Sequence, residues 1–242
     1  MFRLLKALPP TLALAALSIF ATSCGSSSSA HARFVNAIQN TSVYGNGLDV
    51  EFNGTKKFTN VTFPNASAST YTSVPAGRDT IFGVQTGTTT QVFSSTTSLS
   101  GGKQYTLVAT GFANGSGGNV VFLSISDTNT APATGNVKFR VIHASPSGPS
   151  SVDVYIEPNP FNGNLTPPAT IPGLAYEQAS SYVSLAFNSS GYTVFVTASG
   201  STTPIFSQTI SNPTGSIRTL VLTDVQNGSS MNPAFLELND LN

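Results

Sequence analysis

Three residues near the middle of the chain could do nucleophilic chemistry. His143, Ser145 and Asp153 supply a base, a hydroxyl and a carboxylate within a dozen positions. Catalysis would require the serine beside an imidazole that the carboxylate orients, with oxyanion donors close by. No Gly-x-Ser-x-Gly elbow exposes a serine here. His143 and Asp153 are therefore expected to hydrogen-bond the turn between two strands, with Pro146 shaping it. Metal chemistry has little to draw on, because the only histidines are His31 and His143 and the only cysteine is Cys24. That excludes an ordinary zinc ligand set. Asp127 and Asn129 could lend oxygens to calcium, but a hard cation needs about six to eight of them, and no acidic cluster stands nearby. No catalytic, cofactor or metal residue is assigned, and the chain is read as a non-enzyme.

Cys24 has a different chemistry. Arg3 and Lys6 precede an apolar run from Thr11 to Ala21. Eleven helical residues reach about 16 Å, short of a bilayer core of about 30 Å, so the run fits a signal-peptide core rather than a span. Ala21-Thr22-Ser23-Cys24 resembles the lipobox of bacterial lipoproteins, although that family usually has Leu where Ala21 stands. The resemblance implies a signal peptide over 1–23, diacylglycerol on the Cys24 thiol, and cleavage in front of it. Two acyl chains hold a protein to a bilayer where one does so only marginally. Gly25, in place of an aspartate, implies an outer-membrane or surface address. A Ser-rich tether is expected over 24–31.

Composition bounds the rest. Only 8% of the 242 residues are charged, and 39% are hydrophobic. Removing Arg3 and Lys6 with the leader leaves eight basic residues against ten acidic, a side-chain balance of about −2. With no basic run, nucleic acid is not an expected partner. Sequons at Asn60, Asn65 and Asn188 are what an Asn/Ser/Thr-rich chain produces by chance, and no glycans are expected.

The elements that must position these residues read as strands throughout. Val/Phe/Tyr/Ile/Thr segments alternate with Gly/Pro/Asn/Ser clusters, the pattern of an all-β sandwich or barrel. Strands are expected near 32–38, 48–52, 57–63, 69–74, 79–85, 91–99, 104–112 and 120–126. A second set is expected near 137–144, 152–157, 179–185, 192–198, 205–210, 217–225 and 235–238. Asp127–Gly135 lacks any large apolar residue, so it separates a first domain (32–128) from a second (136–242), with the linker at 129–135. Arg33-Phe-Val-Asn-Ala37 echoes Arg140-Val-Ile-His-Ala144, and Leu48-Asp-Val50 echoes Val152-Asp-Val154. The repeat is domain-sized.

Arg140-Val-Ile-His-Ala-Ser-Pro146, followed by Val152-Asp-Val-Tyr155, resembles the bacterial domain of unknown function 4397. The first half is similar in degenerate form, with Asn36 at the position of His143. The resemblance implies tandem immunoglobulin-like antiparallel β-sandwiches in a lipid-anchored envelope protein, with no catalytic residues to carry over.

One loop stands out. Pro158–Thr170 is long for a hairpin and carries Phe161, Asn162 and Leu165 among prolines; such loops are often functional, the other reading being that Phe161 and Leu165 cap an open end of the sandwich. The expected role is structural or adhesive, with this loop presented to an envelope protein. A glycan- or small-ligand-binding module is the alternative, although the chain has no Trp and its seven tyrosines sit mostly in strand-like alternation.

Overall fold

The computed structural model describes residues 29–39, 47–67, 70–113, 119–227 and 230–241. It is all-β. The first half contains β1 (Ser29–Gln39), β2 (Leu48–Phe52), β3 (Thr55–Val61), β4 (Asn65–Ala66), β5 (Thr72–Pro75), β6 (Gly77–Gln85), β7 (Gln91–Leu99), β8 (Gln104–Phe112) and β9 (Val120–Asp127). The second contains β10 (Asn136–His143), β11 (Ser151–Pro158), β12 (Ile171–Ala175), β13 (Val183–Ala186), β14 (Tyr192–Ala198), β15 (Pro204–Ile210), β16 (Ile217–Asn227) and β17 (Ser230–Asn239).

These strands form two sandwiches. In the first, the sheet β3-β2-β6-β7 faces β4-β1-β8-β9, to which β5 adds by pairing with β1. In the second, β12-β11-β14-β15 faces β13-β10-β16-β17. Strand for strand the two orders correspond. Pairing is antiparallel except for β1 with β8 and β10 with β16, which run parallel.

The parallel pairs explain why their sequences are so apolar. A parallel pair is normally buried on both faces and then reads as a near-continuous hydrophobic run. On β1, Ala32 and Phe34 enter the core of the first sandwich. The alternate residues Val35 and Ala37 point the other way, and with Val108 they meet Ile142, Ala144, Val221 and Leu238 of the second half. The two inner sheets therefore pack back to back, and the second sandwich keeps its own core around Phe139, Val154, Val194 and Leu220. Corresponding aromatic pairs, Phe93–Phe122 and Phe206–Phe235, close one side of each sandwich at centroid distances of 5.7 and 5.4 Å.

Most expected strands are present, with four differences. Residues 29–31, expected in a tether over 24–31, belong to β1: Ser29, Ala30 and His31 pair with Pro75, Val74 and Ser73, and Ala30 is fully buried. The two-residue β4 and the strand β12 were not legible; β12 contains Pro172 and Gly173 and follows a bulge in its partner. The strand expected at 179–185 is displaced to Val183–Ala186, with Ala179 making an isolated bridge to Ile142. Asp127, read with the linker, instead ends β9 and is buried. Cys24 lies outside the described residues.

Both sandwiches stand the same way up. One end of the molecule, here called the base, holds the start of β1, the 100–103 turn, the linker and the 211–216 loop. The crown opposite holds the ends of β1 and β8 and the turn after β10. Base meets base and crown meets crown: Arg33 reaches Asp240, and Thr110 Oγ1 donates to the Ala144 carbonyl at 2.8 Å.

Candidate functional site

The residues proposed from sequence for nucleophilic chemistry do not converge. His143 is fully buried at the end of β10, and its Nε2 lies 2.8 Å from the Pro149 carbonyl, bracing the turn as expected. Ser145 Oγ donates to Asp224 at 2.6 Å. Asp153 bonds elsewhere, which corrects its expected place in that turn. Its carboxylate accepts the Gly173 and Gly200 N–H groups at 2.6 and 2.8 Å and the Ser199 hydroxyl at 3.2 Å, tying β11 to the middle of β12 and to the turn after β14. Burial works to raise the Asp153 pKa, but these three donors outweigh it and hold the value below the ordinary one. His143 goes the other way: burial depresses its pKa, outweighing the Pro149 carbonyl and the nearby Asp224 charge.

Around His143 lies a cluster shared by both halves. Asp224 also accepts from the Gln39 amide, which bonds Ser147 Oγ as well at 2.8 Å. Tyr176 packs edge-on to the imidazole at 5.6 Å, and its hydroxyl is 3.2 Å from Thr110. The turn after β10 is thus the crown of the junction.

At the base of the junction stands a four-membered ionic network. Arg33 pairs with Asp240, and Arg140 pairs with Asp127 at 2.5 Å. Each arginine therefore takes its close carboxylate from the far end of the other half. The supporting cast is duplicated too. Arg33 Nε donates to Thr106, and Arg140 Nε to Thr219. Thr106 and Tyr71 donate to Asp127 at 2.8 and 2.7 Å; Thr219 and Tyr182 donate to Asp240 at 2.6 and 2.7 Å. The guanidinium of Arg33 lies 5.0 Å over the Tyr71 ring, and that of Arg140 4.6 Å over Tyr182. Burial pushes both phenol pKa values well up, and the neighbouring aspartates add to the shift. The carboxylate of Asp127, considered for calcium, thus has its oxygens taken by Arg140, Thr106 and Tyr71.

The Pro158–Thr170 loop turns back onto its own sheet. Leu165 and Ala169 are buried against Tyr155, and Phe161 packs on Phe195 at 5.3 Å. Asn162 is exposed. Beside the loop, at the base of the second sandwich, is a cavity of about 450 Å³ lined by Ile156, Leu185, Phe187 and Tyr192 among others. Its wall has little polar capacity to spare: Asn188 donates to the Asn159 carbonyl and accepts from the Ser190 N–H, and Tyr192 donates to the Ala186 carbonyl. None of the six described tyrosines is exposed, so they form no aromatic platform for a sugar.

Residues 30–155 match the family described as Domain of unknown function (DUF4397). The chain belongs to this family. The DUF4397 match begins in β1, covers the first sandwich and the linker, and stops within β11. It takes in Arg33, Asp127 and Arg140, while Asp240 falls beyond it. No curated protein matches the chain.

Sequence reasoning quoted Arg33 and Arg140 as a motif without finding their role. The signal was available. Tyr71, Thr106 and Asp127 each have a same-type counterpart, Tyr182, Thr219 and Asp240, about a hundred residues on. A repeated Arg/Tyr/Thr/Asp set in a chain so poor in charge marks a conserved geometry inside the molecule rather than a solvated face.

Proposed function

We propose that this DUF4397 protein is a lipid-anchored, non-enzymatic component of the bacterial cell envelope, built from two copies of one domain and held at the outer membrane by acylated Cys24. One observation carries this reading. The lone cysteine closes a short apolar leader, and the folded body starts five residues later at Ser29.

The junction supports a mechanical role. Back-to-back inner sheets, an apolar seam and an ionic network together make one stiff body rather than two beads on a string. The crown, remote from Ser29, carries exposed Phe112 and Ile205 and offers the natural surface for a partner protein. The Pro158–Thr170 loop, by contrast, is spent largely on covering its own sheet. Only Asn162 and its exposed neighbours remain for contact.

Cells expressing the wild type and Cys24→Ser, fed an alkyne-tagged fatty acid and then fractionated, test the reading. Wild type is expected to carry the tag and sediment with membranes. Cys24→Ser is expected to lose the tag and become soluble. Equal sedimentation of the two without label refutes the anchor.

A further inference from the structure

Among the described residues, four of the six cations outside the buried network lie at the base, the other two being Lys56 and Lys57 of β3. Arg78, the second residue of β6, and Lys103, in the turn before β8, are exposed at the base near the first residues of β1. Lys138 and Arg218 sit at the base of the second sandwich, half-exposed. Their donors reach only neutral oxygens, from Lys138 to the Thr130 carbonyl and from Arg218 to Asn212. None of the four makes an ion pair among the described residues. Acidic groups at or near this end, outside the self-neutralised network, are Asp79, which is buried, Glu157 on β11, and Glu237 on β17, which accepts from Gln208. The crown is the opposite. Its charged residues are Glu177 and the buried Asp224, Asp49 and Asp153, and the cation that reaches it, Lys56, is paired with Asp49.

The four cations come from three of the four stacked sheets or their turns. Packed sheets lie about 10 Å apart, so across three layers the cations are spread over about 20 Å. No compact anion could touch them together, whereas a flat anionic surface could. Phe187, exposed on the same end, adds an aromatic side chain of the kind that settles among headgroups. The chain also leaves this end: Ser29 is five positions after Cys24, a reach of at most about 18 Å.

We infer that the base is a second membrane contact, in which Arg78, Lys103, Lys138 and Arg218 bind the anionic headgroups of a phospholipid bilayer and hold the body upright with its crown outward. The inference rests on the anchor reading for where that bilayer lies, but the charged face itself can be tested without the anchor.

Residues 24–242 carrying Cys24→Ser, which removes any acyl chain, would be mixed with vesicles of equimolar phosphatidylcholine and phosphatidylglycerol, or of phosphatidylcholine alone. Binding to the anionic vesicles alone, weakening as salt is raised, is expected. A basic residue near an anionic surface is worth about fivefold in partitioning. Arg78→Gln with Lys103→Gln should then cost on the order of 25-fold, while Lys57→Gln, away from the base, should change binding less than about twofold. An unchanged urea midpoint certifies that the variants are folded. Failure to bind anionic vesicles, equal binding to neutral ones, or an indifferent double variant each overturns the membrane face. Loss of fatty-acid label without effect on sedimentation would strike the anchor instead, leaving the vesicle result standing.

Discussion

The two sandwiches share a strand order but meet each other differently at their two ends. In the ionic network at the base every first-half group has a second-half counterpart: Arg33 and Arg140, Tyr71 and Tyr182, Thr106 and Thr219, Asp127 and Asp240. At the crown the correspondence fails. His143 stands where the first half has Asn36. Thr110 donates to a carbonyl of the other half, whereas its counterpart Thr223 is buried with no partner for its hydroxyl. The duplicated end solves a problem both halves have, namely covering an inner sheet with another. The unmatched end is where the two halves differ.

The largest consequence concerns the base. Removing one member of a buried ion pair leaves a desolvated charge, at a cost of about 3–5 kcal/mol. Asp240→Ala strips Arg33 of its close carboxylate and leaves only Asp127, at 3.8 Å. Urea unfolding should show that loss, and the halves should begin to unfold in separate transitions. Arg33→Met combined with Asp240→Leu should recover most of the stability, since apolar replacement of a buried pair is often neutral. A loss below about 1 kcal/mol for Asp240→Ala would mean that the network contributes no more than a surface pair does.

Next in size is the crown. Asp224→Ala removes the acceptor for Ser145, Gln39 and Ser147 together. An unsatisfied buried group costs about 1–3 kcal/mol, so a loss of about 2–3 kcal/mol is expected, without separation of the halves. If Asp224→Ala proves costlier than Asp240→Ala, the contrast between the two ends is reversed.

How far the sequence revealed this arrangement depends on the range of the interaction. Alternation on the outer strands, such as Tyr192, Val194 and Val196, located those strands well because one face is buried and the other is not. Asn53-Gly54, not read as a turn from the sequence, has both residues at positive φ, as a tight hairpin demands. The junction was harder. Arg33 and Asp240 are 207 residues apart, and no local pattern announces that an arginine inside a strand will find its partner in another sandwich. Cys24 and Phe161 were visible as unusual residues, but what surrounds them is a tertiary matter. Leu165, expected at a presented loop, is buried because the outer face of its sheet carries Tyr155 and Phe195 and needs a cover.

A smaller effect separates the crown positions of the two halves by pH. Burial holds the His143 pKa below 6.5 in the folded protein. Once unfolded, the same imidazole takes a proton near pH 6.5. Below that pH the unfolded chain binds more protons than the folded one, so stability falls as the pH drops and is complete above it. The slope for one proton is about 1.4 kcal/mol per pH unit. His143→Asn, which installs the first half's residue, should flatten that portion of the stability profile between about pH 6.5 and 5. An equally steep profile in the variant would assign the slope to another group.

The least effect is expected where the halves differ most in length. Between β2 and β3 the first half uses two residues, Asn53-Gly54; between β11 and β12 the second uses Asn159–Thr170. If those extra residues chiefly cover Tyr155 and Phe195, trimming their aromatic contact should cost what half-burying a ring is worth. Phe161 is only partly buried, so Phe161→Ala should lose about 1 kcal/mol. Phe195→Ala in the Phe161→Ala background should add less than it does alone, the shortfall being the ring contact, about 0.5–1 kcal/mol. Additive losses would mean that the rings touch without coupling. In that case the loop's length is not explained by packing, and exposed Asn162 would regain its claim as a contact residue.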